Sequence, residues 1–295
     1  MQESQTVMEQ AVEVPAEQNW IDDFADRLQR TIDGVYERTG ESSQAIADFL
    51  HGTWLGHPLH PVLTDLPIGF WTSSAALDLL SMLGARGLRP GADATLALGI
   101  LSALATAAAG ATDWQHTVGS TRRVGATHAA LNVIGTVLFT GSLFFRQRGQ
   151  RGLGRLLSMA GLGVVGYSSY LGGNLSFERR VGMNHAPEAE GPEEFTAVMS
   201  AADLVEGQPR LATVDGLPLM LVRYQDRIYA LANSCAHLGG PLAEGRLEDD
   251  CIVCPWHGSK FRLEDGHAEH GPSVYDQPSF ETRVVNGQVE VRRWR

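Results

Sequence analysis

Four apolar runs, at residues 66–84, 92–111, 126–145 and 153–173, limit what this chain can become. Each matches the roughly 20 residues that a helix needs to cross a hydrocarbon core about 30 Å thick. A helix at the edge of a soluble core keeps a polar stripe. These runs stay apolar all round, so the sequence predicts four membrane spans. Gly and Ala recur in them, which lets helix backbones approach closely where lipid supplies no oil–water driving force. The connections between the first and second runs and between the third and fourth are short, which predicts an antiparallel four-helix transmembrane bundle.

The flanks are different. Residues 1–18 are rich in Gln and Glu and are expected to be disordered. Residues 19–38 place Trp20, Phe24, Leu28, Ile32 and Val35 at helical spacing, an amphipathic face for a partner or a membrane surface. A short helix is expected over 42–51, with Ser42 as its N-cap. Pro58, Pro61 and Pro67 are expected to prevent one helix from running through His57 and His60, with Asp65 capping a helix opened by Pro67. Residues 1–50 thus read as a polar tail with amphipathic helices, 51–185 as the membrane domain and 186–194 as a linker. From 195 to 295 the pattern changes to short alternating runs such as MLVRY, RIYAL, CIVC, FETRVV and VEVRR, separated by turn sequences. That pattern predicts an antiparallel β domain of about 100 residues, so the fold class is membrane α plus β. The net charge of −11 disfavours nucleic acid as a partner.

The β domain contains CAHLGGPL, beginning at Cys235, and CPWHGSKF, beginning at Cys254. Cys235 pairs with His237 as C-x-H, and Cys254 with His257 as C-x-x-H. On ligand type alone, two thiolates and two imidazoles suit a tetrahedral zinc ion. They equally suit a two-iron, two-sulfide centre with both sulfurs on one iron and both imidazoles on the other. The chain has three cysteines, and the third, Cys251, is expected to be buried in a strand. With no disulfide pairing available to it, the chain fits a reducing compartment.

These two segments resemble the cluster loops of the Rieske iron–sulfur family, in order and in spacing, with Gly239, Pro241, Gly258 and Phe261 also in place. The resemblance implies one 2Fe-2S cluster on Cys235, His237, Cys254 and His257, with Gly239, Pro255 and Ser259 around it. Rieske proteins of cytochrome bc complexes carry extra loop cysteines where this chain has Gly240 and Trp256. They also carry a Tyr hydroxyl where this chain has Phe261, which cannot donate. The chain is therefore more similar to ferredoxin- and oxygenase-type Rieske domains. A potential in the lower or middle part of the roughly −150 to +300 mV Rieske range is expected. No D-x-x-H-x-x-x-x-H arrangement for an oxygenase iron occurs, so the reading is an electron-transfer component, not a stand-alone oxygenase. A second resemblance covers about 51–185: HPLHPVLTDLPIG, TDW and YLGGNL are similar to domain-of-unknown-function family 2231, a group of four-helix membrane proteins.

If the four runs alternate across a bilayer, His51, His57, His60, His116, His128 and His185 fall at one face, and the β domain starts from that face. His57, His60 and His128 stand at span openings and are the candidates for a quinone, haem b or metal site. Partners expected on this reading are the lipid bilayer and a redox partner protein or quinone. The alternatives are a plain anchor whose Rieske domain serves a separate oxidoreductase, or a redox sensor. Arg86, Arg89, Arg146, Arg148 and Arg151 crowd the opposite face, which by the positive-inside rule favours that face as cytoplasmic. Cluster assembly under reducing conditions argues the other way and places the Rieske domain in the cytoplasm. Asp78, inside the first run, is expected to face the bundle interior in a salt bridge or a proton path.

Overall fold

The computed structural model describes residues 12–13, 15–187 and 191–294. They form two compact units. One holds the described residues up to Gly40 together with Leu59–Val181; the other holds residues 41–58 together with those from Gly182 onward. Most of the stretch expected to be disordered, residues 1–11 and 14, lies outside the described residues, as do 188–190 of the linker. Residues 12, 13 and 15–17 are helical, with Val12 buried against Val124 and Leu171.

The first unit contains α1 (Trp20–Thr39), α3 (Leu59–Met82), α4 (Arg89–Trp114), α5 (Gly119–Gln147) and α6 (Arg151–Gly173). Helix α2 (Ser43–His51) belongs to the second unit. Among the described residues, two helical segments are long and apolar enough to cross a membrane: Arg86–Trp114 and Gly119–Gln147. This is narrower than the four spans expected from sequence. Helix α3 carries His60, Asp65 and Asp78, and α6 carries Arg151 and Arg155, which lower their apolar character.

Helix α3 begins at Leu59, eight residues before the expected opening at Pro67. Pro61 is accommodated because the first-turn N–H groups have no intrahelical acceptor. Pro67 lies inside the helix and cannot donate to the carbonyl of Leu63. The hydroxyl of Thr106 on α4 donates to that carbonyl at 3.2 Å, so the helix continues. His60 therefore sits in α3, while His57 precedes it.

Helix α1 is amphipathic, and part of its apolar face packs within the unit. Ile21 and Ala25, with Leu28 and Ile32, pack on Trp114 and Ala126. Trp20, Phe24 and Val35 stay exposed. Arg122 fixes the docking through Asp22 at 2.9 Å and Asp26 at 2.5 Å. Ser42 makes no side-chain cap on α2; it closes a 3₁₀ turn instead.

The second unit is the antiparallel β domain. Strands β1 (Thr196–Ser200), β2 (Arg210–Val214), β3 (Leu217–Tyr224), β4 (Arg227–Ala232), β9 (Ser279–Val285) and β10 (Gln288–Arg293) form one sheet, in the order β1-β10-β9-β4-β3-β2. Strands β5 (Arg246–Glu248), β6 (Cys251–Val253), β7 (Lys260–Arg262) and β8 (Ala268–His270) form a second. Three two-residue hairpin loops set the register of the larger sheet. Asp215–Gly216, Gln225–Asp226 and Asn286–Gly287 all have positive φ at both positions, which matches the strand twist. Met220, Val222 and Leu231 from the large sheet meet Ile252, Phe261 and Leu263 of the small-sheet region in one core, and Cys235 and Cys254 sit within it.

Candidate metal centre

Two loops carry the cysteine and histidine motifs. The first, 233–242, follows β4, and the second, 254–259, joins β6 to β7. They share one backbone design. In the first, the Cys235 N–H donates to Gly240 at 2.8 Å and the Gly239 N–H donates back to Cys235 at 2.8 Å. In the second, Cys254 donates to Ser259 at 2.9 Å and Gly258 donates back to Cys254 at 3.1 Å. Gly239 and Gly258 close these turns at φ 79° and 80°, a left-handed conformation that favours glycine. The two cysteines are thus presented in matching frames.

The side chains converge. Cys235 and Cys254 are both buried, and their sulfurs share a hydrogen bond. The rings of His237 and His257 lie edge to face with centroids 5.0 Å apart. Cys254 is lowered to about 6 by the Cys235 thiol and by the backbone N–H groups of Trp256 and His257, against the effect of burial. Cys235 moves the opposite way, raised by its bond to Cys254 and by burial. The backbone N–H groups aimed at the Cys254 sulfur favour its thiolate, the form that binds metal. Burial pushes His257 below its ordinary value, which favours the neutral ring, the form that can act as a ligand. By contrast Cys251, the first residue of β6, is pushed up to about 12 by burial and by Asp250, and takes no part.

Space around the sulfurs is set by Gly240. A Cβ there would lie 2.9 Å from the Cys254 sulfur and 3.1 Å from the Trp256 ring. Trp256 therefore lies across the first loop, and Gly240 leaves a cradle beside the sulfur. The donor set and the cradle fit a centre held by two thiolates and two imidazoles. Ser259 is fully buried and accepts the Ser273 N–H at 3.0 Å, which leaves its hydroxyl proton for another acceptor. Pro255 is exposed at the second loop, where its fixed φ restrains the turn after Cys254.

Sequence reasoning missed the residue that ties the first loop to the sheet. Gln277 is almost fully buried. Its Nε2 donates to the carbonyls of Ala232 at 2.7 Å and Ser234 at 2.8 Å. Its Oε1 accepts the Ala236 N–H at 2.9 Å. A lone glutamine some twenty residues past the second motif carries no local signal of that role. Asp48 of α2 is a second case: its carboxylate takes the Gly271 N–H at 2.8 Å and the His270 ring at 2.9 Å. His51 ends α2 and is buried.

Comparison with known proteins is decisive at this point. The family model for the Rieske 2Fe-2S domain matches residues 194–281. The ferredoxin CarAc of Metapseudomonas resinovorans is 35% identical over 95 residues, covering 32% of this chain and 89% of that protein. The chain belongs to the Rieske 2Fe-2S family. A human Rieske domain-containing protein is 33% identical over 118 residues, covering 37% of this chain and 75% of its own length. Among solved structures, the ferredoxin of carbazole 1,9a-dioxygenase from Nocardioides aromaticivorans IC177 aligns at 27% identity. It covers 35% of this chain and 100% of its own, with a TM-score of 0.33. A second family model, described as a predicted membrane protein (DUF2231), matches residues 56–185. The Rieske domain is of the ferredoxin electron-transfer type, indicated for one 2Fe-2S cluster.

His57 lies in the Rieske unit, exposed, with its Nδ1 3.1 Å from the Pro58 carbonyl. His60 and His128 lie in the helical unit with ring centroids 6.4 Å apart. Asn132 bonds His128 along its own helix at 3.0 Å, not across helices. Asp78 is buried and sits among arginines: Arg146, Arg155 at 3.2 Å and Arg151 at 3.4 Å. Asp93 joins the same cluster through Arg146 at 3.1 Å and through Arg151.

Proposed function

We propose that this chain is a membrane-anchored Rieske electron carrier whose cluster is held by Cys235, His237, Cys254 and His257. The observation that carries the reading is the pair of matched loops that bring two thiols and two imidazoles together beside the Gly240 cradle. When bound, the cluster supplies one-electron transfer. The residues around it set its position and its energy. Gln277 and Gly240 fix the loops, and the Ser259 hydroxyl is placed to donate to a cluster sulfur. Such outer hydrogen bonds raise a potential. Phe261 offers no second hydroxyl, which favours the lower or middle part of the family range.

Four spans, α3 to α6, are the membrane reading. Asp78 of α3 and Arg151 and Arg155 of α6 are paired with each other or with Asp93 and Arg146, which satisfies these charges at one end of the bundle. The match to a family of predicted membrane proteins supports the same reading. The Rieske domain faces the cytoplasm, where its two sulfurs stay reduced. Electrons pass between a protein partner and a haem or quinone at the membrane. The ferredoxin relatives serve dioxygenase systems by their names, and a separate oxidoreductase is the corresponding partner here. The experiment is electron paramagnetic resonance of reduced membranes from cells expressing the full chain. A Rieske signal is expected, lost in His237→Ala and Cys254→Ser. A signal unchanged in both variants defeats the ligand assignment.

A further inference from the structure

The four long helices of the helical unit that follow α1 are two copies of one helical hairpin, α3–α4 and α5–α6. A constant register relates His60 to His128, Trp71 to Phe139 and Ser74 to Ser142 along the first helices. Another relates Gly99 to Gly161, Thr106 to Ser168 and Gly110 to Gly172 along the second. The contacts repeat with the residues. Trp71 lies on Gly99, and Phe139 lies on Gly161. His60 lies on Gly110, and His128 lies on Gly172. Across the line relating the copies, Trp71 stacks on Phe139 at 4.2 Å, and Asp78 meets its charge-opposite counterpart Arg146. His60 and His128 face each other across that same line.

Their hydrogen bonds repeat too. The His60 Nδ1–H donates to the Thr106 carbonyl at 2.9 Å, and the His128 Nδ1–H donates to the Ser168 carbonyl at 2.8 Å. A carbonyl can only accept, so both rings carry their proton on Nδ1, and in the neutral ring Nε2 is left as the ligand atom. Anchoring of one ring nitrogen by a backbone carbonyl is the usual support for a metal-bound imidazole. The rings stand edge to face, and the 6.4 Å between their centroids matches two metal–nitrogen bonds of about 2.0 Å plus the two ring radii. It is too narrow for a quinone ring between two donors. Among the described residues no cluster of three or more His, Cys, Asp or Glu is placed to hold a bare ion. Two imidazoles suffice when the cofactor brings the other four donors itself.

We propose that His60 and His128 are the two axial ligands of one iron porphyrin on the line relating the hairpins. The proposal deepens the electron-carrier reading and rests on it for its use: one electron leaves the reduced cluster and one ferric iron becomes ferrous. Binding releases the Asn132 amide, which donates to the His128 Nε2 at 3.0 Å. Thr64 stands at the equivalent place in the first hairpin.

The test uses the full chain, purified from membranes of haem-sufficient cells, with haem measured as its pyridine complex and by reduced-minus-oxidised absorption. A low-spin, two-imidazole spectrum at about one haem per chain is expected. It should vanish in His60→Ala and in His128→Ala and persist in His57→Ala, with the Rieske signal intact in all three. His60→Met keeps a ligand if the alanine variants fold poorly, and should retain haem with a shifted potential. Intact Rieske signal with no haem in the wild-type chain overturns the proposal, as does haem retained in both alanine variants. Haem present without a Rieske signal defeats the cluster reading and leaves the histidine pair standing.

Discussion

Replacing Gln277 should detach the first cluster loop while leaving every ligand in place. The glutamine makes three hydrogen bonds to backbone groups of Ala232, Ser234 and Ala236. Gln277→Met keeps the length and removes all three. At about 1 kcal/mol of net stabilisation per bond, the loss is about 3 kcal/mol, and more if the freed carbonyls stay dry. For a domain of this size, about 4–8 °C per kcal/mol converts that to a fall of about 12–24 °C in the Rieske domain's unfolding temperature. Gln277→Glu is a sharper probe. It still accepts from Ala236, but it turns a carboxylate oxygen toward the two carbonyls, so it should be no better than Met. The assay is loss of the visible cluster spectrum of the full chain on heating, with iron content measured beforehand. A midpoint within about 2 °C of wild type in both variants, with full iron, would refute the claim that Gln277 holds the loop, since even one such bond is worth more.

Other expectations follow from the same geometry. Gly240→Ala places a methyl 2.9 Å from the Cys254 sulfur and should lower cluster content sharply in a chain that still folds, read as iron per protein. Voltammetry of the cluster should give a potential below the top third of the roughly −150 to +300 mV range, because Phe261 supplies no hydroxyl; a value in that top third contradicts the second-hydroxyl argument. Arg146→Ala leaves Asp78 and Asp93 short of a buried partner and should destabilise the helical unit by about 3–5 kcal/mol, measured by unfolding in detergent. Arg262 holds Asp265 below the usual carboxylate range. That contribution is complete above the ordinary carboxylate value and fades as pH falls through the lowered one. The pair is exposed, so the acid-side loss should be small, weakened by salt and absent in Asp265→Asn.

The sequence was most legible where spacing dictates geometry. C-x-H and C-x-x-H located both loops, and the alternating runs after residue 195 fell on β3, β4, β6, β9 and β10. It was less legible where a distant residue compensates a local rule. Pro67 argues for a helix start only until Thr106 is seen donating to the carbonyl that the proline leaves idle. Asp78 reads as a mid-span charge until Arg146, Arg151 and Arg155 are found around it. The apolar periodicity of α1 predicted a helix correctly but not which edge of its stripe is buried, because Trp114 and Ala126 select Ile21 and Ala25 over Trp20 and Phe24. Gln277 was invisible for the same reason: its three partners precede it by about forty residues.

The central claim is the identity of the centre between the two loops, and metal analysis of the full chain tests it most directly. Protein purified from membranes without oxygen should contain non-haem iron and acid-labile sulfide in equal amounts, about two of each per chain, and little zinc. Zinc at about one per chain, with neither iron nor sulfide, would contradict the account.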